Sequence, residues 1–76
     1  MSPLSKWLNE RNLRQGELAL LAGCTRPHIC RVVRAQERPS ASLTAYLEKV
    51  APEVLAGQIK YIEAHTKQLR QAIKAA

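Results

Sequence analysis

Apolar residues return at intervals of three and four along most of the chain, the spacing that lines one face of an α-helix. Nowhere do apolar and polar residues alternate for long enough to predict a strand. Leu4, Trp7 and Leu8 form the first stripe. Ser2 precedes it as a capping side chain and Pro3 suits a first helical position, so a helix is expected over about Ser2–Arg11. Asn12 is the expected cap of a second helix, with Gln15 completing a capping box. That helix carries Leu18, Leu21 and Ala22 and stops at Gly23. Thr25 then caps a third helix, whose stripe is Ile29, Val32 and Val33; Pro27 falls in its first turn, where a missing N–H does no harm. Arg38-Pro39-Ser40 breaks the chain, and Ser40 or Ser42 opens a fourth helix bearing Leu43, Tyr46, Leu47 and Val50. Pro52 opens a fifth, reaching about Lys74.

The expected fold is therefore all-α: a compact five-helix domain with a helix-turn-helix at its centre, between about Gln15 and Ala35, and a long C-terminal helix. Residues 1–51 are read as the helix-turn-helix core, and 52–76 as a helix that makes a dimer or covers the core, within a single domain. In the last helix, Leu55, Ile59, Ile62, Thr66, Leu69 and Ile73 recur at alternating spacings of four and three, a heptad seam. Two packings fit that seam: back onto its own domain, or against the same helix of a second subunit.

Length and charge narrow the function. Seventy-six residues bury a marginal core, which leaves no room for a sensory or catalytic domain. The formal charge of +6 favours a polyanionic partner. No apolar run approaches the roughly 20 residues that span a bilayer, and MSPLSKWLNE lacks the apolar core of an export signal. A cytoplasmic protein is expected, with Cys24 and Cys30 as reduced thiols, Cys24 buried and Cys30 exposed. Cys24, His28 and Cys30 lack a fourth ligand at any common zinc spacing, so no metal, cofactor or small-molecule ligand is expected. Glu63 and His65 have no nucleophile to accompany them, and an enzyme is not expected.

The third helix carries the most informative chemistry. Four arginines and one acid lie between Cys24 and Arg38. Opposite the apolar stripe stand Arg26, Cys30, Arg31 and Arg34, and arginine fits both guanine in the major groove and phosphate. Leu13, Gln15, Glu17-Leu18-Ala19, Gly23, Thr25, Ile29 and Pro39-Ser40 stand at spacings that resemble the helix-turn-helix of phage Cro and repressor proteins, the XRE-type family. The resemblance implies that the third helix enters the major groove, with Arg26, Pro27 and Arg31 facing bases and Cys30 at the edge. It implies a phosphate contact for Gln15, and backbone contacts for Thr25, His28, Arg34 and Arg38. A pH-sensing role for His28 is the weaker reading.

Four positions depart from the family pattern. Arg14 stands where a Ser or Thr is usual, which moves the expected cap to Asn12. Ala35 replaces a Gly, so the third helix is expected to end differently. Leu8 and Val33 replace an ion pair and are expected to pack together. Leu20 and Leu21 are apolar where relatives are polar, which implies that the last helix covers them, within one chain or across a two-fold.

The resulting expectation is a sequence-specific transcriptional regulator, a Cro-like repressor of phage or mobile-element origin that binds a palindromic operator on double-stranded DNA as a homodimer. The alternatives are the DNA-binding antitoxin of a toxin–antitoxin pair and a protein-binding adaptor that does not touch DNA.

Overall fold

A computed structural model describes the backbone of residues 1–75 and the side chains through Gln71. Five helices follow in order: α1 (Pro3–Glu10), α2 (Gln15–Ala22), α3 (Arg26–Val33), α4 (Ala41–Val50) and α5 (Pro52–Ala75), with no strand among the described residues. The all-α, five-helix expectation holds.

Three helices begin on short hydroxyl side chains. Ser2 accepts from Ser5 N at 3.2 Å, Thr25 from His28 N at 3.3 Å and Ser40 from Leu43 N at 3.3 Å. Each satisfies one of the N–H groups that a helix start leaves without a partner.

The first three helices end on left-handed residues, and here two expectations are corrected. Asn12 does not cap α2; it has φ 52° and terminates α1. Leu13 N donates to Leu8 O at 2.9 Å and Asn12 N to Asn9 O at 3.2 Å, the double closure that turns a chain out of a helix. Asparagine tolerates this conformation, and it serves a helix exit as readily as an entry. The cap of α2 is Arg14, whose backbone N–H donates to Glu17 Oε1 at 3.1 Å, so Glu17 supplies the contact expected of Gln15. Gly23, at φ 72°, ends α2.

Ala35 likewise takes φ 61°, and α3 ends as it would on glycine: Gln36 N reaches Arg31 O at 2.8 Å and Ala35 N reaches Val32 O at 3.1 Å. The left-handed conformation costs alanine about 1 kcal/mol. Its buried methyl returns a comparable amount, about 0.8 kcal/mol.

Leu4, Leu18, Ile29, Val32, Leu43 and Leu47 are fully buried and form one core. Leu8 is buried in it, while Val33 is only half-buried at its edge. Val50, read as part of the α4 stripe, is exposed. Packing runs α2 on α3 and α4, then α5 on α1 and α4. α5 is about 36 Å long, against a longest molecular dimension of 41 Å and cross-dimensions of 22 and 21 Å.

The first half of the α5 seam is spent on its own domain. Leu55 and Ile62 are buried and Ile59 is half-buried, whereas Leu69 is 53% exposed. The side chain of Ile73 lies outside the described residues. Because α5 packs chiefly on α1 and α4, it does not cover α2 of its own chain: Leu20 is 85% exposed and Leu21 56%. That expectation, as an intramolecular contact, is overturned.

What fastens α5 in place is a polar residue. Gln58 is completely buried, its Oε1 accepting from Leu4 N at 2.9 Å and its Nε2 donating to Val32 O at 2.7 Å. One side chain thus satisfies a first-turn donor of α1 and a last-turn acceptor of α3. Gln58→Leu leaves the Leu4 N–H buried and unpaired, at about 1–3 kcal/mol, and also removes the hydrogen bond to Val32 O, about 1 kcal/mol net. A loss of about 2–4 kcal/mol is expected, seen as a thermal midpoint lower by roughly 10–30 °C. A shift within the scatter of ordinary surface substitutions would rule out the clamp.

Candidate nucleic-acid interface

The reversal at Gly23 and the Thr25 cap set the start of α3 beside the start of α2. On α3, Ile29 and Val32 face the core, which turns the opposite side of the helix outward. Arg26, Pro27, Arg31 and Arg34 are all exposed there. Cys30, expected to be exposed, is half-buried on the flank of this surface. The aliphatic part of Arg26 crosses α2 near Gly16, at 3.8 Å from where a β-carbon would stand. Arg26, Arg14, Gln15 and Gly16 therefore line one open groove at the start of α2. The first-turn N–H groups of a helix point outward without helical partners, and Arg14 and Arg26 line the groove beside them. The Glu17 carboxylate lines it too and holds the Arg14 N–H, so an anion would meet two cations and one acid there. The Thr25 hydroxyl accepts the His28 N–H and keeps its own proton free to donate outward.

His28 is not placed as expected. Its side chain is only 13% exposed, and both ring nitrogens are used within the protein. Nε2 accepts from Ser40 N at 3.0 Å, so the ring proton sits on Nδ1, which donates to Glu37 Oε2. The residue braces the loop between α3 and α4 and is not available to phosphate. The same carboxylate oxygen accepts from Arg31 Nε at 3.3 Å. The hydrogen bond from His28 first, and the Arg31 guanidinium after it, hold the Glu37 carboxyl below its ordinary range. Sequence reasoning passed over Glu37. Its only signal was being the one acid in a segment of four arginines.

Arg38 also differs from expectation. Its Nη2 lies 3.1 Å from Glu63 Oε1 on α5, an exposed ion pair that is directed to α5 and not to the α3 surface. Such pairs contribute about 0–1 kcal/mol, so a phosphate can replace Glu63 at little cost. Cys24 is half-buried at the turn, and burial pushes its thiol up, away from the reactive thiolate. Of the eight residues read as DNA contacts, the structure gathers Gln15, Thr25, Arg26, Pro27, Arg31 and Arg34 around one surface, holds His28 inward and turns Arg38 aside.

Among the described residues, no helix is long and apolar enough to cross a membrane. Comparison with known proteins finds no matching family model, no matching curated protein and no matching solved structure.

Proposed function

We propose that this chain is a sequence-specific DNA-binding regulator that lays α3 in the major groove and acts as a repressor by occupying promoter DNA. The observation that carries this reading is the exposed face of α3: arginines 26, 31 and 34 project from the side opposite Ile29 and Val32. A solvated cationic face needs no partner, but here the cations flank a helix beside a helix start that can seat a phosphate. In this reading Arg31 and Arg26 meet base edges, Arg34 and the Gln15 groove hold the backbone, and the protein works in the cytoplasm without a cofactor or catalytic step.

Titration of the protein onto labelled duplex DNA across a salt series tests it. Affinity should fall steeply with salt, as expected when several phosphates are neutralised. Arg31→Ala should cost about 1–3 kcal/mol on the preferred site and relax preference at one base pair in a binding-site selection. Arg34→Ala should weaken binding on every sequence alike and reduce the salt slope by about one. Salt-independent binding, or none, would exclude the DNA reading and leave the adaptor.

Two subunits are part of the proposal. A single recognition helix meets only a few base pairs, each worth about 1–3 kcal/mol, which is too little to find one site in a genome. A two-fold dimer places two such helices about 34 Å apart on a palindrome. The unpartnered apolar residues supply a joint. Glu17, Leu20 and Leu21 share one exposed face of α2, and Leu69 and Arg70 are both exposed at successive positions near the end of α5. Leucine meets leucine and Arg70 meets Glu17 if the end of α5 reaches the partner's α2. The same exposed leucines support the antitoxin as a second reading, in which a toxin covers them.

A further inference from the structure

We infer that Glu37 is a specificity-determining residue that touches no base: held by His28, it fixes the guanidinium of Arg31 in the orientation needed to read one. The inference rests on the DNA reading above and deepens it.

The geometry forms a relay that starts on rigid backbone. Ser40 is the cap of α4, and its N–H fixes the His28 ring through Nε2. That bond leaves the proton on Nδ1, where it is directed at Glu37 Oε2. His28 is itself on α3, nearly buried, so its ring has little freedom to follow the carboxylate. The carboxylate is thus anchored from below and meets Arg31 at Nε. A carboxylate that took both terminal nitrogens of Arg31 would silence it. This one engages Nε alone, which leaves the two Nη groups free to form the paired hydrogen bonds that guanine O6 and N7 accept.

Free arginine side chains lose about 2 kcal/mol of rotamer entropy on being fixed. A guanidinium already restrained in the free protein loses less when it meets a base, and it discriminates more sharply against the wrong one. Glu37 also carries the one negative charge of this segment. Near the DNA backbone that charge opposes binding to any sequence, so its two effects have opposite signs. It weakens non-specific binding and strengthens the contrast between the right site and the rest. An acid with no positioning role would do only the first.

The experiment separates the two effects. Preferred-site and random-duplex affinities are measured for the wild type, Glu37→Ala, Arg31→Ala and the double variant, each with a selected-site profile. Glu37→Ala should raise affinity for random duplex severalfold. It should lower the ratio of preferred to random affinity about tenfold, and flatten the profile at the same base pair as Arg31→Ala. In the Arg31→Ala background the further loss of ratio should vanish. An unchanged ratio, or an equal loss with Arg31 already gone, overturns the inference. A second readout needs no DNA: the Arg31 Nε–H resonance should be resolved and slow to exchange in the free wild type, and broadened in Glu37→Ala. A wild type that fails to bind duplex removes the DNA reading itself. A wild type that binds, with Arg31 reading its base and Glu37→Ala leaving the profile intact, removes only the role of Glu37.

Discussion

Truncation after Ala51 should abolish the fold, giving a chain with little helical signal and no cooperative melt. The helix-turn-helix read from residues 1–51 does not close a core by itself. Leu55 and Ile62 are buried among Leu4, Leu8, Leu43 and Leu47, and each contributes about 1.5–3 kcal/mol by leaving water. Their removal also exposes the apolar sides of α1 and α4 against which α5 packs. Loss of Gln58 leaves Leu4 N without its partner. A domain of this length has a total stability of about 4–11 kcal/mol. The sum of these losses reaches that range before any change in DNA contacts is counted, so half-site binding should disappear with the fold. Circular dichroism of the truncated chain decides the matter. A helical, cooperatively melting 1–51 fragment would return α5 to the status of an accessory cover.

The features legible in the sequence are those decided within one turn of a helix. Ser2, Thr25 and Ser40 each accept an N–H three residues ahead, so their identity and position suffice. Gly23 is legible for the same reason. Asn12 was misread because asparagine favours both helix ends and only the tertiary path decides between them. Ala35 shows a fold imposing on alanine a conformation its local preference resists, since Gln36 must turn back onto Arg31 for the loop to reach Ser40. Gln58 and Glu37 escaped for a different reason. A polar side chain on an amphipathic helix is normally a solvated one, and Gln58 is distinguished only by Leu4 and Val32, 54 and 26 residues away in sequence. His28 is explained by Glu37 and Ser40, nine and twelve residues on. The cationic face of α3 could be counted in advance; which arginines are already engaged could not.

That distinction changes which substitutions inform on function. Arg38, equated with Arg34 on sequence, carries a competing carboxylate from α5. Its loss on removal should be smaller than that of Arg34, because the phosphate it gains replaces an ion pair it already has. His28→Ala is a poor probe of DNA contact, since it unties Ser40 and Glu37 together.

Truncation after Thr66 should leave the domain folded yet reduce operator affinity by orders of magnitude. The cut preserves Leu55, Gln58 and Ile62, and Arg38 keeps Glu63. It removes Leu69 and Arg70, both exposed, so the melting temperature of the isolated subunit should change little. What it deletes is the surface proposed to meet Glu17, Leu20 and Leu21 of a partner. Among the described residues of those two helices, Leu20, Leu21 and Leu69 are the most exposed large apolar side chains, with Tyr61 less so, on a domain small enough that such exposure is costly. Joining two reading heads makes the second contact intramolecular, and effective concentrations for linked sites give gains of about 10²–10⁴. Losing the joint should lose that factor on a palindrome while leaving half-site affinity unchanged. Sedimentation at micromolar concentration, with and without operator, reads the assembly directly. Leu20→Glu with full-length α5 should give the same monomer, and pairing it with Arg70→Glu should not restore the dimer, because both sides then carry acid. A full-length chain that remains monomeric on its operator would exclude the two-fold, and Leu20 and Leu21 would then belong to a different protein partner.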